Sequence, residues 1–318
     1  MPKLKAAIVG AGRIGAFFDT PQSKYILTHA HAYFAHPKFE IAAFADINFR
    51  KAKKAALIWG GRAYQNIDDL FRQEDIDVVS VCVPDGEHFS TLCNLKTKNF
   101  IGGVLEKPLT DSLPDSEHLL ADPFFRRRKF LVNYHRRYIS EFQAIKRKID
   151  SGEYGKFIAG SGYYGKGLLH NASHLLDILF FWGFKVENFK VISSVKDFYP
   201  KDPSRIVALT LRHGGVFNLN VVSGKLYKIV EMDFCFEKAR LRILDGGLEI
   251  EEYKVKDDPV FKGYKIPILR RRYKTKLARA LYYTVDNLYY SIRERGAPLC
   301  TMQDAYDVQK LCEEIKQS

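Results

Sequence analysis

The chain has no long apolar run. No window of its 318 residues reaches the ~18 consecutive apolar residues of a spanning helix, so no helical span and no membrane partner are expected. The opening residues lead straight into a strand with no apolar leader, and no secretory signal is expected. Paired cysteines are also missing. Cys82, Cys93, Cys235, Cys300 and Cys312 are odd in number, scattered and without a CxxC pair. They read as reduced thiols of a cytoplasmic protein. Internal repeats and low-complexity stretches are absent. The net charge of +13 gathers in Arg126-Arg127-Arg128, Arg136-Arg137 and Arg270-Arg271-Arg272. A basic surface attracts nucleic acid, anionic membranes or acidic metabolites. No basic helix, zinc finger or RNA-binding motif accompanies it, so a small-molecule partner is expected and nucleic acid is not.

What is present is an ordinary globular composition, with 46% apolar and 27% charged residues. The length predicts two domains. Strand and helix alternate over residues 1–122, which predicts an α/β fold opening with a doubly wound parallel sheet. Its strands read as Lys5–Val9, Phe39–Ala45, Asp75–Val83 and Gly102–Leu105. A helix over Phe49–Trp59 stops at Gly60-Gly61, and another covers Glu87–Lys98. Composition changes after Asp122-Pro123. Residues 123–318 add a strand at Arg126–Asn133, a helix at Arg137–Ser151 and many β runs after Trp182. These predict a large, mostly antiparallel sheet in the second domain. Helices over Lys274–Glu294 and Met302–Lys316 close the chain.

Gly10-Ala11-Gly12-Arg13-Ile14-Gly15 is GxGxxG between a strand and a predicted helix. The first glycine permits the turn, the second lets backbone approach a pyrophosphate, and the third allows strand and helix to pack. A helix N-terminus there favours phosphate charge. In this setting the motif predicts nucleotide binding. Asp46 ends the second strand, where a carboxylate accepts the ribose hydroxyls and repels a 2′-phosphate, favouring NAD. Its competing role is a helix cap. Asp19–Lys24 reads as an inserted loop that accounts for the long gap. Arg50 and Lys51 lie close enough to leave NADP open. Val83-Pro84 ends a further strand and places backbone beside the nicotinamide half, with His88 as a candidate lining residue.

Glu106-Lys107-Pro108 follows the apolar run ending at Leu105, which puts Lys107 at a strand's carboxyl end. Ligands of open α/β sheets bind there, and Lys107 is a candidate catalytic ammonium. His170, His174 and Asp177 are spaced to share one helical face. Metal binding, a satisfied structural face and catalysis with Lys107 compete for this cluster. No third ligand or general base is evident, and no metal is expected.

These residues carry a resemblance. Gly10–Gly15, Ala45-Asp46, Val83-Pro84-Asp85 with His88, Glu106-Lys107-Pro108-Leu109, Asn133–Tyr138, Gly152–Gly155, His174–Asp177 and Gly296-Ala-Pro298 together resemble the glucose–fructose oxidoreductase / inositol dehydrogenase (Gfo/Idh/MocA) family. The resemblance implies an NAD(P)-dependent oxidoreductase acting on a sugar, sugar acid, inositol or nucleotide-linked sugar, as a homo-oligomer, dimer or tetramer, with residues 123–318 an α/β domain for substrate binding and oligomerisation. Lys107 and His174 match the family's lysine and histidine. His170 stands where the family has an aspartate, and Ala172 replaces a glycine. On this reading Glu106 and Lys107 join Gly10, Ala11, Gly12, Arg13, Ile14, Gly15, Asp46, Val83, Pro84 and His88 around the cofactor. Lys107, Arg136, Tyr164, His170, His174 and Asp177 contact substrate. His174 takes the hydroxyl proton and Lys107 steadies the alkoxide, with His170 as proton relay. The altered aspartate position motivates an alternative, a nucleotide-binding regulatory or scaffold protein without redox turnover.

Overall fold

The computed structural model describes residues 2–212, 214–294 and 296–318. They form two compact units, Met1–Tyr138 with Ala278–Asp307, and Ile139–Leu277 with Val308–Ser318.

The first unit is built on a six-stranded parallel sheet. Its strands are β1 (Leu4–Val9), β2 (Phe39–Ala45), β3 (Arg62–Tyr64), β4 (Val78–Val81), β5 (Gly102–Leu105) and β6 (Lys129–Val132). Their order is β3-β2-β1-β4-β5-β6, that of a doubly wound dinucleotide-binding sheet with its switch point between β1 and β4. All residues of β4 and β5 are buried, as covering both faces requires. The helix Phe49–Trp59 forms as the sequence predicts. Asn48 caps it by accepting from Arg50 N–H at 3.2 Å, and Gly60 ends it at φ 86°.

The second unit carries an eight-stranded sheet, order β14-β13-β12-β11-β7-β10-β9-β8. The strands are β7 (Phe157–Tyr164), β8 (Val186–Tyr199), β9 (Asp202–Leu211), β10 (Val216–Val221), β11 (Glu231–Phe236), β12 (Ala239–Leu244), β13 (Glu249–Asp257) and β14 (Lys265–Lys274). Every pairing but β7 with β10 is antiparallel. Strand β12 alternates buried and half-buried residues, the signature of a sheet with one covered face. On that face Trp182 is wedged between Phe142 and Phe234, with ring centroids 6.0 and 5.1 Å away. Its indole N–H donates to Phe142 O at 3.1 Å. The terminal helix begins at Ala280 rather than Lys274, because Lys274 ends β14. The helix expected from Arg137 begins at Ser140, after a short turn over His135–Tyr138.

The basic runs are engaged within the fold. Arg270 pairs with Glu153, Arg271 with Glu252, and Arg272 with Glu249. Arg137 reaches Asp304 at 2.9 Å, and the Arg128 guanidinium lies 3.7 Å over the Phe124 ring. Glu252 is 3% exposed. Lys148 Nζ and the Tyr273 hydroxyl each donate to it at 2.7 Å. Burial alone would raise its carboxyl, but the bonds from Arg271, Lys148 and Tyr273 outweigh burial and hold it at about 2, below its ordinary 4.5. A depressed folded value stabilises the protein above pH ~4.5, and that contribution is lost as the pH falls toward about 2. Glu252→Gln should therefore cost about 3 kcal/mol near neutrality. In urea denaturation, the gap from wild type should close through this acid window.

Candidate active site

The glycine turn sits at the carboxyl end of β1. Gly10 has φ 94° and donates from N–H to Ala45 O at 2.8 Å. A Cβ on Gly10 would lie 2.6 Å from Cys82 backbone, and one on Gly15 would lie 2.2 Å from Gly10 O. The fold itself thus demands these two glycines. Gly12 is different: a Cβ there meets nothing within 4 Å. The backbone at Gly12 faces open space, as a pyrophosphate approaching the turn requires. The residues present fit a dinucleotide.

The segment after the glycines departs from expectation. A five-residue π-helical turn, Arg13–Phe17, follows Gly12, and an α-helix forms only at His29–Ala35. The intervening loop closes on Asp19, which is 8% exposed. Its carboxylate accepts from Leu27 N–H at 2.6 Å and the Thr28 hydroxyl at 2.5 Å, and lies 2.8 Å from His31 Nδ1. Any phosphate at the glycines therefore meets one turn of helix rather than a long dipole. Asp46 Oδ2 accepts from Ala11 N–H at 2.9 Å, and Oδ1 from Asn48 N–H at 2.8 Å. It braces the glycine turn, while capping of the next helix falls to Asn48. Arg50 and Lys51 are exposed on that helix's first turn.

Lys107 follows β5 and is half-buried, and the Lys107–Pro108 peptide is cis. Its neighbour Glu106 anchors a network that sequence spacing did not reveal. Glu106 Oε1 lies 2.9 Å from His29 Nε2 and accepts from Asn133 Nδ2 at 2.7 Å. His29 Nδ1 lies 2.9 Å from Ser80 Oγ, which is 2.9 Å from the Tyr33 hydroxyl. Burial pushes the Glu106 carboxyl up, but the bonds from His29 and Asn133 and the charge of Lys107 prevail and bring it below the ordinary value. Glu106 is thus an anion fixed at the strand end. His88 is 1% exposed. Its ring nitrogens lie 2.8 Å from Pro108 O and 3.1 Å from Val83 O. It ties the turns after β4 and β5 together.

In the second unit, His170 lies in a π-helical turn, Leu168–Ala172, and His174 in the first turn of the helix Ser173–Phe181. His170 and His174 are half-buried, whereas Asp177 is 1% exposed. Tyr164 is 0% exposed; its hydroxyl donates to Arg205 O and accepts from Arg205 N–H, both at 2.7 Å. Arg136 is 7% exposed in the first unit. Arg136, Tyr164 and Asp177 are thus buried, whereas His170 and His174 are half-buried. His170 Nδ1 lies 3.2 Å from Asp202 Oδ2, a partner from β9 that local spacing could not reveal. Among the described residues, no group of three His, Cys, Asp or Glu side chains could hold a metal ion. No described helix is long and apolar enough to cross a membrane.

A family model described as an oxidoreductase family with an NAD-binding Rossmann fold, GFO_IDH_MocA, matches residues 4–123. Those residues are thus similar to the NAD-binding Rossmann part of the Gfo/Idh/MocA oxidoreductases. An inositol 2-dehydrogenase of Rubrobacter xylanophilus is 26% identical over 164 residues, 51% of this chain and 44% of that protein. The chain spans less than half the length of this and the other inositol dehydrogenases it matches first. Two solved structures cover nearly the whole chain. The WlbA dehydrogenase from Bordetella pertussis, in complex with NADH and UDP-GlcNAcA, has a TM-score of 0.75 at 18% identity, covering 99% of this chain and 96% of that one. The super-repressor mutant of Gal80p from Saccharomyces cerevisiae has a TM-score of 0.77 at 13% identity, covering 99% and 95%. At such identities the likeness is one of fold. The chain therefore has a Rossmann unit similar to that family's, followed by a large, mostly antiparallel sheet.

Proposed function

We propose that this chain is an NAD(P)-dependent dehydrogenase or ketoreductase. It acts on a secondary alcohol or ketone of a sugar or sugar derivative, including nucleotide-linked and acidic sugars. The observation that carries the reading is Lys107 at the carboxyl end of β5, in the same parallel sheet whose glycine turn leaves open space over Gly12. Gly10–Gly15, Asp46, Val83-Pro84 and Glu106-Lys107 hold the dinucleotide. Asp46 favours NAD, while Arg50 and Lys51 leave room for a 2′-phosphate. The bound nicotinamide supplies the hydride acceptor or donor. Lys107 stabilises the developing alkoxide, and His174 removes the hydroxyl proton. His170 stands behind that transfer. The second unit supplies the substrate groups and the oligomer contacts of a cytoplasmic homo-oligomer. Incubation with NADH and a panel of keto sugars, or with NAD and the matching alcohols, tests the reading by nicotinamide absorbance. Saturable consumption with at least one sugar-type compound is the expected result.

A second reading keeps the fold and the cofactor but not turnover: a regulatory or scaffold protein. His170 at the position of the family's aspartate favours it, and so does the fold shared with the Gal80p super-repressor. Binding of NADH with no consumption across the panel would support it.

A further inference from the structure

The hairpin joining β8 to β9 closes over His170. Tyr199 and Asp202 pair across its two-residue tip, and both hold the same imidazole. The Tyr199 ring stacks on His170 with centroids 4.0 Å apart and planes 22° apart. Asp202, 7% exposed, lies 3.2 Å from His170 Nδ1 and also accepts from the backbone N–H groups of Leu169 and His170 at 3.0 Å each. Burial pushes the Asp202 carboxyl up, but the His170 bond and these backbone bonds outweigh it and hold it below the ordinary value. The surrounding loop is shaped for this approach. Gly167 has φ 90°, a Cβ there would lie 2.2 Å from Asp202 Oδ2, and its N–H donates to Ser204 Oγ at 2.8 Å. Any side chain at Gly167 would drive the carboxylate away from His170.

We propose that Asp202 is a positioning residue that holds His170 with its proton on Nδ1, so that Nε2 is the ring's proton-accepting atom. An ionised carboxylate only accepts hydrogen bonds, so the neutral imidazole beside it must donate from Nδ1. The Tyr199 stack fixes the plane of the ring. Resting on the hydride-transfer reading above, this gives the chain an oriented base where relatives carry a carboxylate. The proton taken from the substrate hydroxyl by His174 passes to His170 Nε2. The N–H bond on His174 breaks as the one on Nε2 forms, and Asp202 steadies the resulting imidazolium through Nδ1–H. The sequence alone suggested that losing the aspartate removes a carboxylate from the site; Asp202 returns one through His170.

The primary test needs no turnover. Long-range ¹H–¹⁵N spectra of the full-length, ¹⁵N-histidine-labelled protein read the tautomer of each of its nine histidines, and His170→Gln identifies the relevant signal. The expected result is Nδ1–H with an unprotonated Nε2. A wild-type His170 protonated on Nε2 alone overturns the inference and leaves the hydride-transfer reading standing. Nδ1–H in a protein that turns over no panel member supports the positioning role and counts only against that reading. Asp202→Asn adds a kinetic arm. It should lower kcat by about 10²–10⁴-fold with little change in KM, and an unchanged kcat overturns the role. In asparagine an NH2 replaces one of the two oxygens that accept from the Leu169 and His170 amides, which also weakens the turn; the wild-type tautomer decides the matter independently of this variant.

Discussion

Replacing Lys107 with alanine should lower kcat by about 10²–10³-fold, the usual cost of removing one preorganised donor from a developing oxyanion. Lys107 directly follows Glu106, whose carboxylate is held by His29 and Asn133, so the strand end that presents it is fixed by a buried network. An ammonium that meets charge only as the hydroxyl loses its proton contributes in the transition state. Its loss should lower kcat and kcat/KM alike. NADH affinity, followed by quenching of protein fluorescence, should change only several-fold. Arginine should not restore the rate, because a planar fork cannot replace a compact charge on a flexible stem. Near-normal turnover of Lys107→Ala would remove Lys107 from the chemistry.

Gly12→Val should weaken cofactor binding strongly without harming the fold. Gly12 has φ −88° and ψ −161°, a backbone geometry open to any residue, and a Cβ there touches nothing. The branched side chain would occupy the space a pyrophosphate needs. We expect NADH affinity to fall by roughly a hundredfold, equivalent to about 2.7 kcal/mol, with Tm within ~2 °C of wild type. Gly15→Ala is the contrast. Its Cβ would sit 2.2 Å from Gly10 O, so it should unfold the turn before it affects binding selectively. Isothermal titration with NADH beside a thermal melt separates the two cases. Unchanged NADH affinity in Gly12→Val would remove this turn from the cofactor site.

Four strands of the parallel sheet, β1, β2, β4 and β5, were legible because their signals are local; the short β3 was not legible, and β6 reads as part of the second domain. Gly10–Gly15 marks the turn, the apolar run Phe39–Ala45 is β2, and Gly60 stops the helix that follows. Strands β7 and β14 were not legible. Gly160 and Gly162 interrupt one, while Pro267 and Arg270–Arg272 hide the alternation of the other. Burial was harder still to read. Tyr164 and His88 belong to polar types common at binding sites, yet their partners are backbone carbonyls and amides that carry no sequence signature. Asp202 escaped for another reason. It reaches His170 from 32 positions away, and only the β8–β9 register brings them together. The single inserted loop after the glycines was visible in the long gap to Asp46, but its anchor, Asp19, was not.

The most direct test of the account is isotopic. NADH carrying deuterium at the transferable position is incubated with the keto sugar that the panel identifies, and the product is analysed by mass spectrometry and NMR. The account predicts one deuterium on the new carbinol carbon, delivered from one face of the nicotinamide only. Consumption of NADH with no label on that carbon, or tight NADH binding with no consumption for any member of the panel, would contradict it.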